Sequence, residues 1–424
     1  MRTFLIPLLA ITTTIASLAS DEIFADFTVS HGTTPLGTFR ARLDYDKVPR
    51  TCANFIGLAS GQRPWIDLTT GAVQERKPYY DGLTFHRLIH NFMIQGGSPN
   101  GNGTDGPGFS IQDEFDGTLR HSGSYKLSMA KGSLPGSGGS QFFITLSAPT
   151  HLDDKHSVFG EVISGKEIID NFANATLFPT GTADKPLTPI TMTSVVVSGP
   201  GLAAFDINSP ALRLPHVQTK NASPFIPSQN VGASTFTISF DRSFQTEYLS
   251  FYTTNLINWT PLTRTISVDA SPGYDFNVSG VTFDRFFMRL PSVDYSEVIN
   301  APSDLAKAGA SLAITSRTGE TITLDFTSSS TGTWTDSNGG SGTLTSLAWF
   351  DPISTIGAFG ASGGLAPRLP LGQLTATFDT PAGLGAWTSI DVILSFHTPT
   401  SGWTDGSAVG TPSTNVLRAF TYTP

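Results

Sequence analysis

The stretch Phe85-His86-Arg87-Leu88-Ile89-His90-Asn91-Phe92-Met93-Ile94-Gln95-Gly96-Gly97 sets a few polar side chains among large apolar ones. Gly139-Ser140-Gln141-Phe142-Phe143-Ile144-Thr145 has the same texture. Aromatic and branched apolar residues with glycine close by read as strands. Arg87 and Gln95 stand beside Phe92 and Met93, and Gln141 stands beside Phe142 and Phe143. Strands of this kind supply a pocket with an apolar floor and a polar lip. No phosphate loop, metal-ligating cluster or nucleophile elbow competes with them in the sequence.

The flanks extend the strand pattern. Residues 21–43 alternate as two strands around a glycine- and proline-containing turn. Pro49 suits the first turn of a helix that Gly61 ends, and residues 62–78 read as a polar loop containing Trp65. Further strands are predicted at 84–89, 92–95, 126–130, 141–145 and 158–162. A second helix is predicted at 166–172, and Val195-Val196-Val197 is placed to close the sheet. Seven or eight strands with two short helices in about 175 residues predict a closed barrel capped at its ends.

Composition agrees with a mainly β protein. Of 424 residues only 14% are charged, while 42 are glycine and 28 proline, a turn-rich balance spread over two or three domains. The net charge of −9 offers no basic stripe for nucleic acid. Arg2, the apolar run from Phe4 to Leu18 and the small residues Ser17 and Ala19 predict a secretory signal over residues 1–19. No later run approaches the ~18 apolar residues of a membrane span. The expectation is therefore an exported bacterial protein, in the periplasm, at the cell surface or outside, and not integral to the membrane. Cys52 is the single cysteine. It lies in an apolar helical segment, which predicts a buried, inert thiol.

From about residue 23 to 198 the chain resembles the cyclophilins, a family of peptidyl-prolyl cis/trans isomerases. The resemblance rests on Tyr80-Asp81-Gly82-Leu83-Thr84-Phe85-His86-Arg87, Phe92-Met93-Ile94-Gln95-Gly96-Gly97, Gly106-Pro107-Gly108-Phe109 and Asp113-Glu114-Phe115. It continues through Leu127-Ser128-Met129-Ala130, Gly139-Ser140-Gln141-Phe142-Phe143-Ile144 and Leu152-Asp153-Asp154-Lys155-His156-Ser157-Val158-Phe159-Gly160, in the family's order. The loop with Arg63-Pro64-Trp65 is similar to the longer version in many bacterial members. The resemblance implies a closed eight-stranded β-barrel with two short capping helices. It also implies an isomerase that needs neither metal nor other cofactor, acts on proline-containing polypeptides and works as a monomer.

By resemblance, Arg87 is the donor to the proline nitrogen. Phe92, Met93, Phe143 and Leu152 line the proline-ring pocket, Gln95 bonds the substrate backbone, and His156 closes the edge. Ala130, the backbone at Lys131, Gln141 and His151 complete the substrate-binding set. Taken singly, Phe92, Met93 and Phe143 read as core, and their alternation with Arg87, Gln95 and Gln141 turns the reading to a pocket; Arg87 reads alternatively as an ion-pair partner of Asp113 or Glu114. His86 and His90 have the spacing of a helical metal pair, but on a strand that spacing does not clamp one ion. Three positions depart from the family pattern. His151 stands where cyclosporin-sensitive members carry tryptophan, which implies weak cyclosporin binding. Lys131 replaces a usual asparagine, and Asp154 replaces a usual glycine.

After Gly199-Pro200 the texture changes. Residues 201–230 have linker composition. Residues 231–300 and 301–424 read as one or two all-β modules of sandwich type. Thr254–Leu262 and Arg285–Leu290 resemble a β-module of exported bacterial proteins. Asp269, Asp275 and Asp284 lack the close spacing of a calcium loop and read as turn residues. Trp334, Trp349, Trp387 and Trp403 read as core, with a carbohydrate platform as the alternative. Two functions follow: an isomerase that assists folding of exported proteins, or a catalytically idle cyclophilin-fold scaffold or adhesion protein.

Overall fold

The computed structural model describes residues 21–132, 135–218, 226–228, 235–239, 245–253, 255–266, 274–277, 287–298, 302, 304–316, 319–350, 372–382, 387–409 and 417–424. The segment 1–19, Asp269, Asp284 and residues 219–225 and 229–230 of the expected linker lie outside the described residues.

Alternation builds the first domain. In β1 (Ile23–His31), Ile23, Ala25, Phe27 and Val29 are buried and the residues between them are not, the period of a strand with one wet face. β2 (Thr34–Leu43) returns antiparallel to it and buries Phe39, Ala41 and Leu43. α1 (Pro49–Ser60) begins on a proline already set to helical φ. It ends where Gly61 adopts φ +73°, a conformation costly for any residue with a Cβ. β3 (Trp65–Asp67) and β4 (Ala72–Gln74) form a small hairpin inside the loop at 62–78. β5 (Thr84–Ile89), β6 (Met93–Gly96), β7 (Lys126–Met129), β8 (Phe142–Thr145), β9 (Val158–Ser164), α2 (Lys166–Asn171) and β10 (Ile190–Ser198) complete the domain.

The strands close in the order β1-β10-β5-β6-β8-β7-β9-β2, which leaves no open sheet edge. Inside, Phe27 stacks on Phe39 at 4.8 Å, and Phe55 of α1 stands edge-on to Phe142 at 5.7 Å. Burial of each such ring contributes roughly 1.5–3 kcal/mol, so α1 is held as a plug rather than as a surface helix. Cys52 is buried within it, with Sγ 3.5 Å from the Phe159 carbonyl oxygen. Burial pushes its thiol pKa well up, which makes it unreactive.

Residues 201–218 are packed rather than tethered. Short 3-10 turns at Pro200–Ala203 and Pro210–Leu212 lead into β11 (His216–Gln218). Ile207, Leu212, Leu214 and Val217 are buried in the same core as the barrel. The Pro/Ser/Asn content suggests a linker, but a few spaced apolar side chains suffice to dock it. β12 (Ile226–Ser228), β13 (Thr235–Ser239), β14 (Thr246–Thr253), β15 (Thr260–Ile266), β16 (Tyr274–Asn277), β17 (Phe287–Arg289) and β18 (Ser292–Asp294) follow. They form one sheet in the order β11-β18-β14-β15, with β17 beside β14, and a second in the order β12-β13-β16, which carries Asp275.

The first of these sheets rests on the long loop of the barrel domain. Phe251 lies against Gly71 so closely that a Cβ there would clash with its ring. Three arginines cross the junction to backbone carbonyls: Arg63 to Pro215 at 2.6 Å, Arg264 to Gly108 at 2.8 Å and Arg289 to Thr70 at 2.9 Å. Each satisfies a buried or half-buried acceptor that would otherwise be costly to leave dry.

The last eight strands are β19 (Ser311–Ser316), β20 (Thr321–Phe326), β21 (Gly332–Asp336), β22 (Ser341–Phe350), β23 (Gly372–Ala382), β24 (Trp387–Thr398), β25 (Ser401–Val409) and β26 (Leu417–Thr423). They run as a meander whose last strand pairs with its first, giving a second closed barrel instead of a sandwich-type module. Period-two alternation is common to both architectures, so only the β19–β26 pairing separates them. Trp334 and Trp387 are 1% exposed and belong to a core of their own, so neither is a surface platform for sugar. Among the described residues no helix is long and apolar enough to cross a membrane.

Candidate active site

A β-bulge aims the first strand of the site. Phe85 pairs with Gly96, but Arg87 pairs with the very next residue, Gln95. The extra residue on β5 breaks the simple alternation. Phe85 and Leu88, three residues apart, both point into the barrel core, while Arg87 and Ile89 point out. Without the bulge Phe85 and Arg87 would share a face.

The register carries this outer row across the sheet. Arg87 is level with Gln95, Gln95 with Phe143, and Phe143 with Ser128. Met93 is level with Ile89 on one side and Thr145 on the other. Ile94, Phe142, Ile144 and Leu127, on the opposite face, fill the barrel. Met93, Ala130 and Phe143, with Ile89, Phe92 and Leu152, therefore make a small cluster separate from the core. That separation decides against the core reading of these residues. Phe92 reaches the lip through a tight turn in which Asn91 takes φ +60°, a conformation asparagine tolerates better than most.

Polar side chains are fixed around this cluster. Gln95 donates to Gln141 Oε1 at 2.9 Å, and Gln141 donates in turn to the carbonyls of Gly103 at 3.0 Å and Asp105 at 2.7 Å. Gln141 is 1% exposed, so its side chain is fixed in place and orients Gln95. His156 packs edge-on to Phe143 at 5.6 Å, and its Nδ1 bonds the Met129 carbonyl at 2.9 Å. A carbonyl partner places the proton on Nδ1. Burial lowers the pKa of His156 to about 4, so the ring is neutral near pH 7. His151 stacks on Phe92 at 6.0 Å and is exposed at the rim.

Arg87 has neither partner weighed from sequence. Its Nε donates to Asp184 Oδ2 at 3.2 Å, with the two side chains 42% and 44% exposed. Asp184 lies in a 3-10 turn, at positive φ. An exposed pair of this kind contributes about 0–1 kcal/mol, so a substrate can displace it cheaply. Lys131 turns its side chain away from the site, into a buried pair with Asp113 at 3.7 Å, leaving only backbone at the edge. Asp154 adopts φ +59°, which accounts for the glycine usual there, and Arg120 bonds its carboxylate at 2.7 Å.

Sequence reading missed the support beneath Phe143. His121 stacks on that ring at 5.8 Å, with Nδ1 2.9 Å from Asp153 and Nε2 2.9 Å from Ser128 Oγ. The order Ser-His-Asp invites comparison with a hydrolase triad. His121 and Ser128 are both 0% exposed, so no substrate carbonyl can reach the hydroxyl, and the trio serves as a rigid bed. His86 is buried, with its pKa lowered to about 4 by burial, and His90 Nε2 bonds the Phe178 carbonyl at 2.9 Å. Their rings face separate surroundings. No group of three or more His, Cys, Asp or Glu residues suited to a metal occurs among the described residues.

Known proteins match this domain. The family model for cyclophilin type peptidyl-prolyl cis-trans isomerases covers residues 25–197. Peptidyl-prolyl cis-trans isomerase B of Streptomyces anulatus is 44% identical over 163 residues, which are 38% of this chain and 91% of the relative. A probable peptidyl-prolyl cis-trans isomerase A of Mycobacterium leprae is 38% identical over 164 residues, covering 38% of this chain and 87% of the relative. An Arabidopsis thaliana peptidyl-prolyl cis-trans isomerase is 37% identical over 157 residues, covering 36% of this chain and 84% of the relative. The barrel, the outward row of Arg87, Gln95 and Phe143, and these likenesses agree: the chain belongs to the cyclophilin family of peptidyl-prolyl cis-trans isomerases.

Proposed function

We propose that this isomerase acts on X–Pro bonds of exported polypeptides and assists their folding, with Arg87 as the group that lowers the barrier. The observation that carries the proposal is the row of Arg87, Gln95 and Phe143 on one outer face, above a separate apolar cluster.

The barrier to rotation is roughly 18–20 kcal/mol and comes from amide conjugation. Rotation makes and breaks no bond, so nucleophile and general base have no task here. What helps is a surface that fits the twisted amide better than either planar form. Phe92, Met93, Phe143 and Leu152 would grip the proline ring, with Ala130 and the Lys131 backbone beside the flanking residues. His156, neutral and edge-on to Phe143, closes one wall without adding charge. Arg87, permanently charged and rich in N–H donors, would donate to the proline nitrogen as it pyramidalises. Gln95, held by Gln141, accepts or donates at the substrate backbone and limits where Arg87 can lie. A donor aimed at an atom that becomes basic only in the transition state accelerates the step itself.

Residues 1–19 would direct export, leaving the mature chain in the periplasm, at the cell surface or outside. The full chain should speed cis-to-trans conversion of an Ala-Pro peptide followed by NMR exchange, unaffected by a chelator. Absence of acceleration would instead favour the idle scaffold. Mass measurement of exported protein should show loss of residues 1–19, and retention of Met1 in the exported form would contradict the signal.

A further inference from the structure

Gln112, Asp113, Glu114 and Phe115 are consecutive, and each holds a different part of the molecule. Gln112 Nε2 donates to the carbonyl of Phe396 in β24. Phe115 stands edge-on to Trp403 of β25 at 5.2 Å. Glu114 accepts the backbone N–H groups of Arg50 at 3.2 Å and Thr51 at 2.7 Å, where α1 begins. Arg50 extends the junction by donating to His397 Nδ1 at 3.3 Å.

Asp113 points the other way. Its carboxylate accepts the Gly136 N–H at 3.0 Å and pairs with the Lys131 ammonium at 3.7 Å. The Asp113 and Lys131 side chains are 6% and 5% exposed. Just before it, Ile111 N–H bonds the Gly138 carbonyl at 2.8 Å. The segment that docks the C-terminal barrel is thus also the back wall for Lys131, Gly136 and Gly138, the first of which borders the proline pocket. In an irregular segment, the direction of one side chain is set by what anchors its neighbours.

We propose that Asp113 is a positioning residue for isomerisation, through which the C-terminal barrel keeps the Lys131 charge out of the substrate edge and so sets the preference for residues flanking proline. The proposal rests on the isomerase activity and on the placing of Ala130 and Lys131 at that edge. Tied to Asp113, Lys131 offers substrate only backbone. Released, its ammonium lies within reach of the pocket rim and attracts acidic residues next to the proline.

The test uses the full chain and peptides with Glu, Ala or Lys preceding proline. Asp113→Asn and Trp403→Ala should each raise the ratio of kcat/KM for Glu-Pro over Lys-Pro by about fivefold, while Trp403→Phe keeps the wild-type ratio. The double variant Asp113→Asn/Trp403→Ala should go no further than Asp113→Asn alone, because both act through one carboxylate. Hydrogen exchange supplies a readout independent of turnover: the Gly136 amide should exchange faster in Trp403→Ala. An unchanged ratio in Trp403→Ala, effects that add in the double variant, or unchanged Gly136 protection would each overturn the proposal. Loss of the isomerase reading would look different, since the wild-type chain itself would turn over none of the three peptides.

Discussion

At the scale of single residues, the site is a set of side chains whose freedom has been removed by specific neighbours. Phe143 lies between the stacked ring of His121 and the edge of His156. Gln95 is held by an amide relay that ends on backbone carbonyls. His151 is the exception, an exposed ring against Phe92. An imidazole covers less apolar area than an indole and places its N–H elsewhere. The wild-type chain should therefore bind cyclosporin weakly, and His151→Trp should tighten binding by about tenfold, a change of about 1.4 kcal/mol. Calorimetric titration checks both, and nanomolar binding by the wild-type chain would contradict the first. These pairings were only partly legible in the sequence. The residue types of the pocket could be read there, but the Arg87 partner lies 97 positions away in a turn of irregular conformation, and no local pattern announces it.

At the scale of elements, the bulge in β5 decides what the sequence means. Strict alternation would place Phe85 and Arg87 on one face, and a reader using period two alone would bury the arginine or expose the phenylalanine. The bulge lets one strand feed both core and pocket. Helix α1 was legible because Pro49 and Gly61 bracket it with backbone requirements of their own. Closure of the second barrel was not, because alternation reports two faces and says nothing of which strands meet. Gly97 shows how tightly the element ends are built. It holds φ +88°, and a Cβ there would stand 2.5 Å from the Ser140 carbonyl oxygen. Gly97→Ala combines an unfavourable φ with that clash and should destabilise the protein by about 1–3 kcal/mol. Denaturant unfolding measures this, and an unchanged midpoint would contradict the packing described.

At the scale of the whole molecule, the parts are joined in two different ways. The sheet around β14 shares the hydrophobic core of the first barrel, whereas the C-terminal barrel keeps its own core and meets the first through Arg50, Gln112 and Phe115. The Pro, Ser and Asn content of residues 201–230 hid this, since residues 201–218 carry their docking in a few spaced apolar positions. Burial also gives the molecule a pH dependence. It lowers the pKa of His86 to about 4, of His156 to about 4 and of His397 to about 3. The unfolded chain takes up these protons near pH 6.5 and the folded chain does not, so stability present above pH 6.5 is lost as pH falls toward 4. Each proton contributes a slope of up to about 1.4 kcal/mol per pH unit. The carboxyls of Asp44, Asp105 and Glu114, raised by burial, act in the opposite sense and partly offset the three histidines. Unfolding free energy should therefore be lower at pH 5.3 than at pH 7.5, and equal or greater stability at pH 5.3 would count against neutral buried histidines.

The central claim is that Arg87 lowers the rotational barrier and does little for the fold. The most direct measurement compares wild type and Arg87→Ala in a protease-coupled peptide assay, with thermal unfolding alongside. The side chain is 42% exposed and its pair with Asp184 lies at the surface, so stability should change by no more than about 1 kcal/mol. Loss of a donor aimed at the transition state should lower kcat/KM by about a hundredfold or more. Near-normal turnover by a folded Arg87→Ala protein would contradict the account.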